Sequence, residues 1–110
     1  MMRPPLSPAA AGLLRGLIAR AGIDRERILL SDFRSVDWQS LTFIGERHEI
    51  SLILLPPEAG AAVARIADQL GEAEWRIAGQ IVADVGLSAP IRANPDGSMT
   101  LSLEALTIAE

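Results

Sequence analysis

Leu41-Thr42-Phe43-Ile44-Gly45-Glu46-Arg47-His48-Glu49-Ile50-Ser51-Leu52-Ile53-Leu54-Leu55 is the stretch on which the fold turns. Leu41 to Ile44 and Glu49 to Leu55 both read as strands, with a polar cluster between them. With Glu46-Arg47 as a two-residue turn, Leu41 faces Leu52 and Phe43 faces Ile50, which makes a coherent apolar face. Gly45 is then placed to supply a positive φ beside the turn. The opposite face carries Ser40, Thr42, Ile44, Glu49, Ser51 and Ile53, a mixed set. One clean face and one mixed face predict an antiparallel sheet covered on one side only.

Upstream, Ile28 to Val36 also alternates, and the slip around Ser31–Phe33 predicts a bulge. Before it, Ser7 is placed as an N-cap and Pro8 as the first helical residue. Apolar residues recur at Ala10, Leu13, Leu14, Leu17, Ile18 and Ala21, and Gly22 stops the helix, with Ile23 placed to pack back on it. Gly12 and Gly16 lie one turn apart and allow another backbone to approach. Residues 1–6, with Pro4 and Pro5, read as a flexible leader to a single α+β domain spanning 7–110.

Downstream, Pro56-Pro57 ends the strand, and Glu58 to Leu70 reads as a second helix with a stripe of Ala59, Ala62, Val63, Ile66 and Leu70, closed by Gly71. Trp75 to Val85 is a strand with Ile77, Ile81 and Val85 on one face and Gly79 as a bulge or close-approach point. Asn94-Pro95-Asp96-Gly97 has turn chemistry. Met99, Leu101 and Leu103 alternate in a last strand, and the pattern shifts at Glu104-Ala105 as at a second bulge. The predicted order is α-β-β(-β)-α-β-β, an α+β fold with two helices on one face of a twisted antiparallel sheet of four to five strands. An offset of 49 residues brings Pro8, Gly22, Leu52 and Leu54 onto Pro57, Gly71, Leu101 and Leu103, consistent with an αββ duplication.

Composition narrows the chemistry. The 110 residues contain no Cys and no Tyr, all ten basic residues are arginines, and His48 is the single histidine. Disulfides, thiolate chemistry, Cys-based metal sites, Schiff-base amines and the lysine of a phosphate loop are therefore excluded. The formal charge of −4 lacks the basic excess that a nucleic-acid partner requires. No apolar run approaches a membrane span, since Arg15 and Arg20 interrupt the longest N-terminal candidate. The expectation is a cytoplasmic protein with no cofactor, no metal, no nucleic acid and no membrane partner.

Two clusters could carry chemistry. In Glu46-Arg47-His48-Glu49, alternation puts Glu46 and His48 on one side and Glu49 on the other. A histidine beside a carboxylate suits a general base or half a metal site, to be completed by Asp32, Asp37 or another subunit. The plainer reading is a solvated hairpin tip whose charges discourage edge association. In the second cluster, Arg34, Asp37 and Trp38, an aspartate desolvated by tryptophan would suit a general acid, whereas a strand corner is the plainer account. Ser31, Ser35 and Ser40 are the serines a nucleophilic mechanism would place near His48, but none has a glycine-flanked elbow. Asp84 and Glu104 read as outward or edge charges. The leading expectation is a non-enzymatic interaction domain that self-associates as a homodimer through its sheet, where Ile44, Ile53 and one of Trp38 or Trp75 lack a covering helix. The alternatives are a small anionic-ligand domain using Arg27, Arg34 and Arg76, and a hydrolase or isomerase built on His48 with Asp37 or Glu46.

Overall fold

A computed structural model describes residues 5–110, so the expected leader is seen only at Pro5 and Leu6. Helix α1 spans Pro8–Ala21, with the Ser7 hydroxyl accepting from the Ala10 amide at 3.1 Å and Gly22 in the left-handed region at φ 67°. A short 3-10 turn, Arg25–Arg27, leads into strand β1, Ile28–Gln39, and then β2, Ile44–Leu54. Helix α2, Ala59–Ala67, precedes a second 3-10 turn, Leu70–Glu72. Strands β3, Gln80–Leu87, β4, Arg92–Ala93, and β5, Met99–Ala109, complete the chain. The order β1-β2-β5-β3 is antiparallel throughout, with β4 also pairing with β5. This is the α+β architecture read from the sequence, a helix and hairpin followed by a helix and hairpin, with β2 against β5 at the centre. The two central strands are of equal length, 11 residues each. No helix is long and apolar enough to cross a membrane among the described residues.

The first hairpin closes elsewhere than expected. Its loop is Ser40–Phe43, closed by a 2.9 Å bond from the Ser40 amide to the Phe43 carbonyl, and the Ser40 hydroxyl accepts from the Phe43 amide at 3.1 Å. Ser40 thus satisfies the loop backbone locally, which lets β2 begin at Ile44 and run through Glu46-Arg47 without turning. Ile50 pairs with Phe33 and Leu52 with Leu30, while Leu41 is fully exposed. Gly45 has no positive φ. It is needed because a Cβ there would overlap the Thr107 carbonyl oxygen of β5.

The bulge expected near Ser31 is present, as a register shift between Leu30 and Asp32. The second lies across the ladder, in β3 between Val82 and Asp84, whereas β5 pairs with β2 in unbroken register. The predicted strand from Trp75 starts only at Gln80, since Trp75 and Ile77 lie in an irregular segment against α1. A Cβ on Gly12 would come within 2.7 Å of Ile77, and one on Gly16 within 2.5 Å of the Trp75 ring, so both glycines serve to seat this segment. Helix α2 ends at Ala67, before the Gly71 expected to close it, and Gln69 takes the left-handed conformation, φ 49°.

Every residue of the second predicted stripe is buried, Ala59, Ala62, Val63 and Ile66 on α2 and Leu70 in the 3-10 turn after it. So are Leu13 and Leu17 of α1, Leu52 and Leu54 of β2, and Leu101 and Leu103 of β5. Full burial of each such leucine contributes about 2 kcal/mol before entropic costs. Both helices end by exchanging arginines. Arg20 of α1 donates to the Ile66 carbonyl at 3.1 Å and to the Asp68 carbonyl, and Arg65 of α2 donates to the Ala21 carbonyl at 2.8 Å. The unpaired carbonyls at each helix end therefore receive a cation from the neighbouring helix.

Candidate functional site

Alternation along β2 decides where its polar residues go. His48, Ile50, Leu52 and Leu54 point to the helix side, opposite Ala105, Leu103, Leu101 and Met99 of β5. His48 is therefore no hairpin-tip residue: it sits inside a central strand at 1 % exposure. Its Nδ1 lies 2.8 Å from the Ser35 hydroxyl and its Nε2 lies 2.8 Å from the Thr107 hydroxyl. A neutral imidazole donates through one nitrogen and accepts through the other, and a hydroxyl partner can do either, so both ring nitrogens are satisfied. Burial lowers the imidazole pKa below its ordinary value, and the Glu46 carboxylate acts in the opposite direction.

Glu46 does share the side of His48, and Asp37 pairs with Glu46 across the β1–β2 ladder. Asp37 is exposed, whereas the adjacent strand positions Val36 and Trp38 face the other side, so Trp38 does not enclose its carboxylate. Of the three serines, Ser35 reaches His48, while Ser31 donates to the Ser51 carbonyl and Ser40 closes the loop. Thr107 was not among the sequence candidates. The alternation Leu101, Leu103, Ala105 points to it, since the next inward residue of β5 is Thr107. A cleft of about 290 Å³ beside Ser35 is lined by Pro5, Ser7, Phe33 and Glu46. Among the described residues, no group of three or more His, Cys, Asp or Glu side chains is placed to hold a metal ion.

The three strand arginines do not converge. Arg27 ends the 3-10 turn before β1, with its Nε and Nη2 buried and unpartnered among the described residues. Arg34 points to the open side of the sheet. Arg76 joins Arg15, Arg20, Glu74 and Trp75 along a groove of about 470 Å³ over the glycines of α1.

The open side carries the other parity of every strand. Its middle row runs Arg34, Glu49, Glu104 and Gly86, and the next runs Val36, Arg47, Leu106 and Asp84. One end is the row Trp38, Gly45, Ile108, Ile81, and toward the other lies Leu29 beside Ile53. Glu104 and Asp84 are exposed, in keeping with outward charges. A depression of about 150 Å³ at the centre is lined by Arg34, Val36, Arg47, Glu49 and Glu104, with His48 and Ala105, whose side chains take the other side of the sheet, completing its floor. No protein-family model matches the chain, and no curated protein matches it significantly.

Proposed function

We propose that this chain is a non-enzymatic interaction domain that self-associates, as a cytoplasmic homodimer, through its open sheet face. The observation that carries the reading is the apolar content of a face with no covering layer. Ile81 is 51 % exposed, Leu29 45 % and Val36 40 %, with Trp38, Ile53, Leu106 and Ile108 only half-buried around them. Single exposed apolar residues are ordinary, but apolar residues contributed by all four strands to one uncovered face, on both sides of its charged middle row, support a contact surface. The hydrolase or isomerase reading loses support from the same geometry, because His48 is enclosed with both nitrogens occupied and Asp37 is exposed one ladder row away.

Sedimentation equilibrium from low to several hundred micromolar tests the proposal. A concentration-dependent dimer, weakened by Ile81→Asp, supports it, and a strict monomer over that range refutes it. The groove that Arg15 and Arg76 line together with Glu74, beside an Arg20 already held by the end of α2, favours a second reading, the binding of a small anion. Thermal stabilisation by a carboxylate or phosphate compound, lost in Arg76→Ala, would favour it.

A further inference from the structure

We propose that the partner on the open face is a second copy of this chain, held by pairing Arg34 and Arg47 of each copy with Glu49 and Glu104 of the other. The inference rests on the sheet-mediated self-association proposed above and names the contacts that direct it. All four side chains are exposed and adjoin the central depression. Glu49 and Glu104 stand directly opposite one another on β2 and β5. Like charges in that relation destabilise a ladder; Arg34 stands directly opposite Glu49 alone, and Arg47 adjoins the pair one row along, opposite Leu106 rather than either carboxylate. A cation arriving from outside the sheet relieves the opposition. The same patch offers such cations, so a surface carrying both signs in adjoining rows complements itself, as an isologous interface must.

Other occupants fit less well. A nucleic acid would meet Asp32, Glu49, Asp84 and Glu104 on this face, and a lipid surface would have to desolvate its charged middle. Area sets the strength. Four strands about 4.8 Å apart and some ten residues at about 3.3 Å each give a face of about 19 by 33 Å, or about 600 Å². That is below the roughly 800 Å² per partner of a standard interface, so a micromolar, salt-sensitive dimer is expected.

The test uses two charge-swapped proteins, one carrying Glu49→Arg and Glu104→Arg, the other Arg34→Glu and Arg47→Glu. Each alone is expected to associate at least tenfold more weakly than the parent protein. An equimolar mixture is expected to recover a heterodimer in analytical ultracentrifugation, and 0.5 M NaCl is expected to weaken the parent dimer. Far-UV circular dichroism checks that each protein is folded. If either fails to fold, Glu49→Gln and Arg47→Gln, singly and together, read the same coupling as a double-mutant cycle. Swapped proteins that dimerise as tightly as the parent, or a mixture that stays monomeric, would overturn the pairing while leaving sheet-mediated association standing. A parent protein that is itself monomeric would overturn both.

Discussion

Replacing Gly16 and Gly60 with alanine should move stability in opposite directions, although both residues are helical. Alanine is favoured over glycine in a helix by up to about 1 kcal/mol, and by about half that in the first turn, where Gly60 lies. Around Gly60 a new Cβ meets nothing within 4 Å, so Gly60→Ala keeps its gain, about 0.5 kcal/mol. At Gly16 the Cβ would stand 2.5 Å and 2.8 Å from two ring carbons of Trp75. Those atoms belong to a rigid bicycle on a segment wedged against α1, not to the free end of a flexible chain. Overpacking of this kind costs about 2–3 kcal/mol, which outweighs the helical gain and leaves Gly16→Ala about 1–2 kcal/mol less stable. At about 5 °C per kcal/mol for a domain of this size, the melting temperatures of the two variants should differ by about 10 °C. Circular-dichroism melts and urea titrations measure both. In a Trp75→Leu background the Gly16→Ala penalty should shrink or change sign. If Gly16→Ala stabilises the parent protein as much as Gly60→Ala, the seating of Trp75 on Gly16 is wrong.

Burial holds the folded-state pKa of His48 below that of the unfolded chain, so the unfolded state binds the extra proton first as pH falls. Stability should be complete above about pH 6.5 and decline below it toward the lower folded value; urea titrations at pH 7.5 and 5.5 should show the decline, and His48→Gln should remove it. Thr107→Val leaves one buried ring nitrogen without its hydroxyl and should cost about 1–3 kcal/mol, read as a shift in the urea midpoint. Arg65→Ala removes the side chain that caps the Ala21 carbonyl and should cost about 1–2 kcal/mol, with hydrogen exchange accelerated in the last turn of α1. Arg27→Met exchanges a guanidinium with two buried nitrogens unpartnered among the described residues for an apolar chain; it should be neutral or stabilising, and a loss above about 1 kcal/mol would show that those nitrogens have a partner.

Both helices were legible because their signals are local. Ser7, Pro8 and Gly22 bound α1, and the second stripe is buried as its spacing required, although the helix stops at Ala67 and carries Leu70 in a following 3-10 turn rather than running to Gly71. The strands were legible in their alternation and less so in their limits. Gly45-Glu46-Arg47 has turn composition, yet a serine four residues before β2 closes the loop through its own hydroxyl and backbone. Such chemistry competes on nearly equal terms with a glycine turn, and only pairing across the sheet decides between them. The contact with Thr107 that requires a glycine at position 45 is made by β5, far along the chain, and leaves no local mark.

The site was legible to the same degree. Parity survives on one side of the misplaced turn, where Glu46 and His48 share a side while Glu49 takes the other. It does not survive across the turn: Ile44, expected beside Glu49 and Ile53 on the open face, has the parity of His48 and Ile50 because β2 runs through without turning. Exposure does not survive the misplaced turn: a residue at a hairpin tip is wet, whereas the same residue in a central strand under helices is dry. Moving the loop to Ser40–Phe43 therefore changes His48 from a titrating surface group into a buried cross-link between β1 and β5 through Ser35 and Thr107. The chain has no Cys, Lys or Tyr to replace it as a reactive group. What stays accessible along the middle of the sheet is arginine and carboxylate, set in adjoining rows on the face without helices. Groups of that kind in that arrangement recognise charge of the opposite sign, and a second copy presents the same pattern. Under the proposed self-association, this arginine and carboxylate pattern is the chain's remaining accessible polar chemistry put to use.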